Sequence, residues 1–201
     1  REKITVTTFA KHEQFDHPSG MAILDDESIV IADAENYCIQ LTTNYGQEVH
    51  TIAGKKGERG HQDGPAAQAR FRGPTGVVVL SDGRILIADK WNFRIRMISA
   101  DLQQVSTVAG NGMRGDRDGA AAQAQFSYPS DLAVLPDGRV LVSESHRIRV
   151  ISADLREVTT VRDGAGEEAR FHEPSGMLVL PDNRVLVADR MNKLIRVLSA
   201  D

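Results

Sequence analysis

Five residues that could transfer protons or bind a metal lie within two positions of a proline. They are His17, Tyr128, Asp131, His172 and Glu173. Imidazoles and carboxylates are zinc ligands and general acid–base groups, so these side chains would support such chemistry if the fold brought them together. The sequence has no recognisable Ser-His-Asp spacing and no nucleophile elbow. We therefore predict no catalytic residue, no metal and no cofactor, and keep the five as candidates.

A second set of residues is suited to contacting a protein. Trp91 occupies a predicted turn where two other repeats have Glu35 and Met191. The indole either packs on its neighbours or serves as a contact anchor, because tryptophan is enriched among the residues that dominate binding energy. Cationic residues concentrate in two glycine-rich segments, at Lys55, Lys56, Arg59, Arg114 and Arg117. Acidic neighbours such as Glu58 and Asp116 dilute this charge, which favours a mixed-charge surface.

These candidates belong to a chain built from repeats. Four of its six phenylalanines open a Phe-x-x-Pro phrase. The phrases begin at Phe15, Phe71, Phe126 and Phe171, so the spacings are 56, 55 and 45 residues. A unit of about 50 residues cannot bury its own faces, and a period of this length is typical of stacked repeat architectures.

The apolar residues within each repeat alternate with the period of a β-strand. Pairs such as Asp82-Gly83 and Asp137-Gly138 supply the positive φ that tight hairpins need. Four short antiparallel strands per repeat predict one blade of a β-propeller. We therefore predict an all-β fold, a propeller of four four-stranded blades in one domain over residues 1–201. Residues 1–10 match the missing fourth strand of the last repeat and are expected to complete that blade.

The repeated phrase resembles the NHL repeat. The second unit carries the resemblance most fully, with Phe71, Pro74, Gly76, Asp82-Gly83, Ala88-Asp89, Asn92, Ile95-Arg96 and Ala109-Gly110. The first unit departs from it with Gln40 in place of arginine, and the third with Glu144 in place of aspartate. The resemblance covers essentially the whole chain and implies a β-propeller. Because NHL-like propellers often have six blades, the alternative is that these four belong to a larger ring.

A propeller fold predicts where the candidates lie. The turn between the second and third strands shares one face with the connection to the next blade, and this loop-rich face is the predicted binding surface. The five proline-flanking candidates should surround the entrance to the axis, where four blades leave little space for catalysis. The carboxylates and arginines that recur in each repeat are expected to be structural. They are Asp33, Asp89, Glu144, Asp189, Arg96, Arg149 and Arg196.

Composition excludes several classes of protein. The longest apolar runs are too short to span a bilayer, and the single cysteine, Cys38, cannot form an internal disulfide framework. The net charge of −4 argues against wholesale polyanion binding. No signal peptide is visible, which with the single cysteine favours a cytoplasmic location. The chain begins with Arg1 rather than methionine, so we expect a fragment or a processed product.

Three functions compete on this evidence. The favoured one is a non-catalytic protein-interaction or scaffold module that binds a protein partner through the loop-rich face. The first alternative is RNA binding through a local basic face, which the acidic charge balance and the low aromatic content of 5% disfavour. The second is a metal-dependent lyase or hydrolase with its site near the axis, implied by resemblance to catalytic propellers. No membrane partner is predicted, and the oligomeric state is left open.

Overall fold

The repeats form the predicted propeller. A computed structural model describes residues 8–9, 15–43, 46–162 and 169–199, and within these ranges four antiparallel sheets follow one another, one per repeat. No helix in these ranges is long and apolar enough to cross a membrane. The strand predicted over residues 1–10 lies outside the described residues, apart from Thr8 and Phe9. Phe9 itself lies against Gly46 of the first blade.

The strands of each blade run in chain order. The first blade contains β1 (Pro18–Ile23), β2 (Ile29–Asp33), β3 (Cys38–Thr43) and β4 (Glu48–Ala53). The second contains β5 (Gly64–Pro65), β6 (Pro74–Val79), β7 (Ile85–Asp89), β8 (Arg94–Ile98) and β9 (Gln104–Ala109). The third contains β10 (Gly119–Ala120), β11 (Asp131–Val134), β12 (Val140–Glu144), β13 (Arg147–Ile151) and β14 (Glu157–Thr160). The fourth contains β15 (Pro174–Val179), β16 (Val185–Asp189) and β17 (Leu194–Leu198). Single 3₁₀ turns span Ala66–Gln68, Lys90–Asn92 and Ala121–Gln123.

The middle two blades have one strand more than predicted. β5 pairs with β9, and β10 pairs with β14, so each sheet gains a fifth strand at its outer edge. Each extra strand has only two residues and comes from the long connection that precedes its blade. Segments this short carry no readable alternation, which is why the sequence pattern missed them. The long connections are therefore held to the sheet edges.

Apolar cores join each blade to the next. We call the side of a blade that packs on the following repeat its leading face, and the opposite side its trailing face. Ile39, Ile95 and Ile148 occupy the same position on the leading faces of the first three blades, and all three are fully buried. They pack in cores that contain the phenylalanine of the next blade, namely Phe71, Phe126 and Phe171 respectively. These three phenylalanines therefore fill the apolar cores between consecutive blades.

A buried carboxylate organises one end of every blade. In the second blade Asp89 has no solvent exposure and accepts hydrogen bonds from the Arg72 backbone N–H at 2.8 Å and the Asn92 amide at 2.8 Å. The guanidinium of Arg96, also fully buried, donates to the same carboxylate at 2.9 Å and stacks over the Phe71 ring at 5.1 Å. One cluster therefore ties the entry of β6, the turn after β7 and the strand β8 together, as the structural interpretation predicted.

The same cluster recurs in the other blades. Each carboxylate accepts the backbone N–H of the residue that follows the repeat's phenylalanine, at 2.6–2.8 Å. The pairs are Asp33 with Asp16, Glu144 with Ser127, and Asp189 with His172. In the first blade Gln40 replaces the arginine and donates to Asp33 at 2.5 Å. Gln40 therefore keeps the hydrogen bond without the positive charge, and Glu144 keeps both the hydrogen bond and the charge of the aspartate that it replaces.

The two long connections are anchored through aspartates. The Asp63 carboxylate accepts hydrogen bonds from the Arg96 guanidinium at 2.5 Å and from the Thr107 backbone N–H at 3.0 Å. Asp118 makes the equivalent contacts in the next blade, with Arg149 at 2.7 Å and the Thr160 N–H at 3.0 Å. Each connection is thus fixed to the third and fourth strands of the blade that it enters.

Replacing Arg96 should show how much the buried cluster contributes. Arg96→Ala leaves the Asp89 carboxylate buried without its cation, a loss that costs about 3–5 kcal/mol of unfolding free energy. Arg196 provides a matched control because its side chain is one-third exposed and lies 3.5 Å from Asp189. Arg196→Ala should cost less than Arg96→Ala, because solvent already reaches the Arg196 guanidinium and can replace part of its longer contact with the buried Asp189. Urea denaturation measures both, and equal losses would contradict the role assigned to burial.

The same cluster predicts a pH dependence. Burial raises the pKa of Asp89 from its ordinary 3.8 to about 6, and Arg96 with the N–H donors of Arg72 and Asn92 limits the rise. Since the folded chain then holds this proton at higher pH than the unfolded chain, the contribution of Asp89 to stability falls as pH rises from about 4 to about 6. Urea denaturation at about pH 4 and about pH 6 measures the free energy of unfolding of wild type and of Asp89→Asn. From the lower to the higher pH, we expect wild type to lose stability relative to the variant. A gain in the relative stability of wild type would contradict the raised pKa of Asp89.

Candidate functional site

A groove opens on the face where the turns between second and third strands lie. Its volume is about 310 Å³, and its wall is built by three consecutive blades. The second blade supplies Lys90 and Trp91, the third supplies Tyr128 and Ser145, and the fourth supplies Glu173 and Arg190, with other side chains between them. We call this depression the rim groove. It combines two candidates that the sequence analysis placed separately, Trp91 on a turn and Tyr128 at the axial entrance.

A short turn in the third blade makes room for the groove. Two residues, Ser145 and His146, join β12 to β13, whereas four residues join β7 to β8 and β16 to β17. The lower turn leaves a gap between Trp91 of the second blade and Arg190 of the fourth. The Ser145 carbonyl accepts the Glu173 N–H at 2.7 Å, which fixes the floor of this gap to the fourth blade.

Aromatic side chains form one wall of the rim groove. Trp91 and Tyr128 meet edge to face with ring centroids 5.1 Å apart, and Phe93 contacts Tyr128 in the same manner at 5.2 Å. The guanidinium of Arg114 lies 4.8 Å from the Tyr128 centroid. Trp91 is nevertheless 46% exposed. The indole therefore packs on its neighbours and also presents an apolar surface to solvent, while its role as a contact anchor stays a prediction.

The residue before each repeat's proline has left-handed backbone geometry. His17, Gly73, Tyr128 and Glu173 have φ values of 53°, 61°, 57° and 50°. A non-glycine residue in this region costs roughly 1 kcal/mol or more, so three of the four blades tolerate strain at the rim. Gly73 instead leaves room for the indole, since a Cβ there would lie 2.5 Å from Trp91 Cδ1.

Charged side chains of the second, third and fourth blades also line the rim groove. Arg190 forms an ion pair with Glu173, and both side chains are largely exposed. Glu144 lies buried beneath them, where burial raises its pKa and the Arg149 guanidinium opposes the rise. Ser130, Ser145 and Ser175 also line the groove. The Ser145 hydroxyl donates to the Ser127 carbonyl at 2.9 Å, and the Ser130 hydroxyl bonds with that of Ser143 at 2.9 Å, so both retain only part of their hydrogen-bonding capacity for a ligand.

The other predicted contact residues lie around the groove rather than in it. Met191 is half-exposed beside Arg190, and Arg114 reaches the groove only through Tyr128. Lys55, Lys56, Arg59 and Arg117 belong to the long connections. These connections do share the face of the turns, as predicted, because the Asn92 amide donates to the Gly60 carbonyl at 2.7 Å.

The axial candidates do not assemble into one chemical cluster. His17 of the first blade pairs with its neighbour Asp16 at 2.7 Å. Asp131 accepts the Met177 backbone N–H at 2.9 Å, and burial raises its pKa, so it joins the third blade to the fourth. His172 lies beside His146, with ring centroids 5.2 Å apart. Within the described ranges, no three His, Cys, Asp or Glu side chains are grouped so as to hold a metal ion.

Sequence reasoning missed Lys90, Ser145 and Arg190. None breaks the repeat as Trp91 does, since the corresponding turn positions carry small or polar residues in every unit. The available signal was the shortened turn of the third repeat, visible as a reduced distance between Glu144 and Ile148 compared with Asp89 and Ile95. The shorter turn of the third repeat predicts a wider space between the turns of the second and fourth repeats.

A family model for the NHL repeat matches this chain three times, at residues 15–40, 71–96 and 126–151. The chicken (Gallus gallus) NHL repeat-containing protein 2 is 38% identical over 109 residues, which are 53% of this chain and 15% of that protein. The Arabidopsis thaliana protein SUPPRESSOR OF QUENCHING 1, chloroplastic, is 29% identical over 151 residues, or 71% of this chain and 14% of that protein. The chain thus spans about one-seventh of the length of either relative.

A solved structure supports the fold. A gluconolactonase from Xanthomonas campestris superposes with a TM-score of 0.64 over 90% of this chain and 56% of that one. The two sequences are 15% identical. Likeness at this level concerns the propeller architecture and leaves the chemistry of the site to be argued from its own residues.

Gly73 provides a test of how the aromatic wall is positioned. Gly73→Ala introduces a Cβ against the indole at a residue with φ of +61°, so we expect a stability loss of about 1 kcal/mol and a displaced Trp91. Trp91 is the only tryptophan, so intrinsic fluorescence reports on it alone. Its emission should shift and iodide quenching should change. Gly176→Ala, where a Cβ meets nothing within 4 Å, is the control. Unchanged emission from Gly73→Ala would contradict the packing.

Proposed function

This chain is an NHL-repeat β-propeller, and we propose that it works as a non-catalytic interaction module whose binding surface is the rim groove. The ligand that suits this surface is an extended peptide segment of a protein partner, with an aromatic or aliphatic side chain placed against Trp91 and Tyr128. The observation that carries the proposal is the exposed aromatic wall in a groove that three blades build together.

The chemistry of the groove supports a peptide ligand. Aromatic side chains supply apolar contact area at low conformational cost, because few torsions become ordered on binding. The Ser130 and Ser145 hydroxyls already bond within the third blade, but an oxygen lone pair of each can still accept an N–H of a peptide backbone. At the opposite wall Arg190 pairs with Glu173, and Lys90 adds one positive charge to the groove, so a neutral or weakly acidic peptide suits it best.

The rigid base of the groove also supports binding. The turns that carry Trp91 and Arg190 are tied to the buried carboxylates Asp89 and Asp189 through Asn92 and Asn192. A surface that is already ordered loses little conformational entropy when a ligand binds.

RNA binding has weaker support from the same surface. Some cations on or beside the connections already pair with carboxylates, so a phosphate would have to compete with these partners. Lys55 and Arg70 both pair with Glu58, and Arg147 pairs with Asp116. The exposed aromatic surface at the groove is not flanked by a continuous basic track, which single-stranded nucleic acids require.

Peptide selection tests the proposal directly. A random peptide library displayed on phage is panned against the wild-type chain, and the affinities of selected peptides are then measured by calorimetry. We expect Trp91→Ala to weaken binding at least about tenfold, and Trp91→Ala with Met191→Ala to weaken it no less, because an interface anchor is removed. Melting curves establish that both variants remain folded.

The control for this experiment is Ile23→Ala. Ile23 is 65% exposed and lies at the opposite end of β1 from the turns that form the groove, so its loss should leave peptide affinity unchanged. A library that yields no binders would overturn the proposal. So would selected peptides that bind wild type and Trp91→Ala equally.

A further inference from the structure

One cation that lines the rim groove has no partner. Lys90 begins the 3₁₀ turn Lys90–Asn92, directly before Trp91, and is half-buried at the edge of the aromatic wall. Within the ranges that the structure describes, its side chain forms neither an ion pair nor a hydrogen bond. The groove therefore presents a positive charge that none of these residues neutralises.

The other cations at the groove are already engaged. Arg190, which lines the opposite wall, pairs with Glu173. Arg114, which reaches the groove through Tyr128, donates a hydrogen bond from Nε to the Ser127 hydroxyl at 3.2 Å. An anionic group that enters the groove would have to displace these partners, whereas Lys90 is available without any displacement.

Comparison with the fourth blade shows what Lys90 lacks. Lys90 and Arg190 each follow directly after the buried aspartate of their blade, so they hold equivalent positions. The partner of Arg190 is Glu173, the residue before the proline that opens β15. The equivalent residue of the second blade is Gly73, which has no carboxylate. The second blade therefore keeps the cation of this pair and lacks its anion, so a carboxylate of a ligand can take that place.

The remaining carboxylate of the groove does not serve Lys90. Glu144 is 1% exposed, lies 3.2 Å from the Arg149 guanidinium and accepts the Ser127 backbone N–H at 2.6 Å. These are the partners that the equivalent carboxylates have in other blades. The charge of Glu144 is thus compensated within its own blade, and that of Lys90 is left for a ligand.

We propose that the rim groove recognises peptides that carry an aspartate or glutamate within two positions of the aromatic or aliphatic anchor residue. Lys90 pairs with this carboxylate while Trp91 and Tyr128 contact the anchor. The inference rests on the peptide-binding function proposed above and adds the charge and spacing of the ligand. Because an extended peptide presents side chains i and i+2 on one face, the acid and the anchor can both reach the adjacent Lys90 and Trp91.

The two contacts have different roles in binding. The aromatic wall supplies apolar contact area, and its loss should abolish most of the affinity. A charge pair that solvent still reaches contributes a preference of about two- to fivefold. Lys90 thus selects among peptides that the aromatic wall already binds.

Matched peptide pairs test this inference. Peptides selected from the phage library are synthesised in pairs that differ only in the acid or its amide, and calorimetry measures their affinities at low and high salt. Wild type should bind the acidic member about two- to fivefold more tightly, and salt should reduce this difference. Lys90→Gln should bind both members alike, and Lys90→Glu should prefer the amide. Unchanged affinity of Lys90→Gln for the amide peptide shows that the groove of this variant is intact.

Lys193→Gln is the matched control for net charge. Lys193 is an exposed residue in the turn of the fourth blade and does not line the groove, so its loss should leave the preference for the acid unchanged. Selected peptides that depend on Trp91 but lack an acid near the anchor would overturn this inference alone. A preference for the acid that survives Lys90→Gln would do the same. A library that yields no binders would overturn the proposed function and this inference together.

Discussion

The structure depends on a buried carboxylate held at the end of each blade's second strand. Asp89 has no exposure, and its desolvation is opposed by three donors from different parts of the blade, the Arg72 N–H, the Asn92 amide and the Arg96 guanidinium. A buried charge is tolerable only when such partners are present. The need to satisfy it forces the strand entry, the turn and the third strand into one arrangement. Each repeat has an equivalent carboxylate, so each repeat folds into a similar blade.

This constraint also determines where the protein can vary. Positions that serve the carboxylate are repeated, while the residues just outside the cluster differ from blade to blade. Tyr128 and Trp91 occupy such positions, and the firm backbone beneath them allows strained or exposed side chains to be held in place. The loss of two turn residues in the third blade then opens the rim groove between its neighbours. A binding surface thus arises from small departures on a rigid repeat.

Blade packing imposes a second requirement, which is that every leading face needs a trailing face. Three joints inside the chain meet it through the isoleucine of one blade and the phenylalanine of the next. Ile195 and Met21, at the matching positions of the fourth and first blades, are exposed within the part of the chain that the structure describes.

Much of the fold was predictable from local pattern alone. The Phe-x-x-Pro spacing, the alternating strands and the Asp-Gly turns depend on neighbouring residues, and they identified four blades and the structural role of Asp89 and Arg96. The two-residue strands β5 and β10 were missed because their pairing is decided by Asp63 and Asp118 contacting a distant blade edge. The meeting of Trp91 with Tyr128, and the separation of His17 from His172, likewise depend on how blades pack. Sequence determined the repeating unit through short-range chemistry, whereas only the tertiary structure decided which unrepeated side chains meet and which faces stay uncovered, because those outcomes depend on contacts between units.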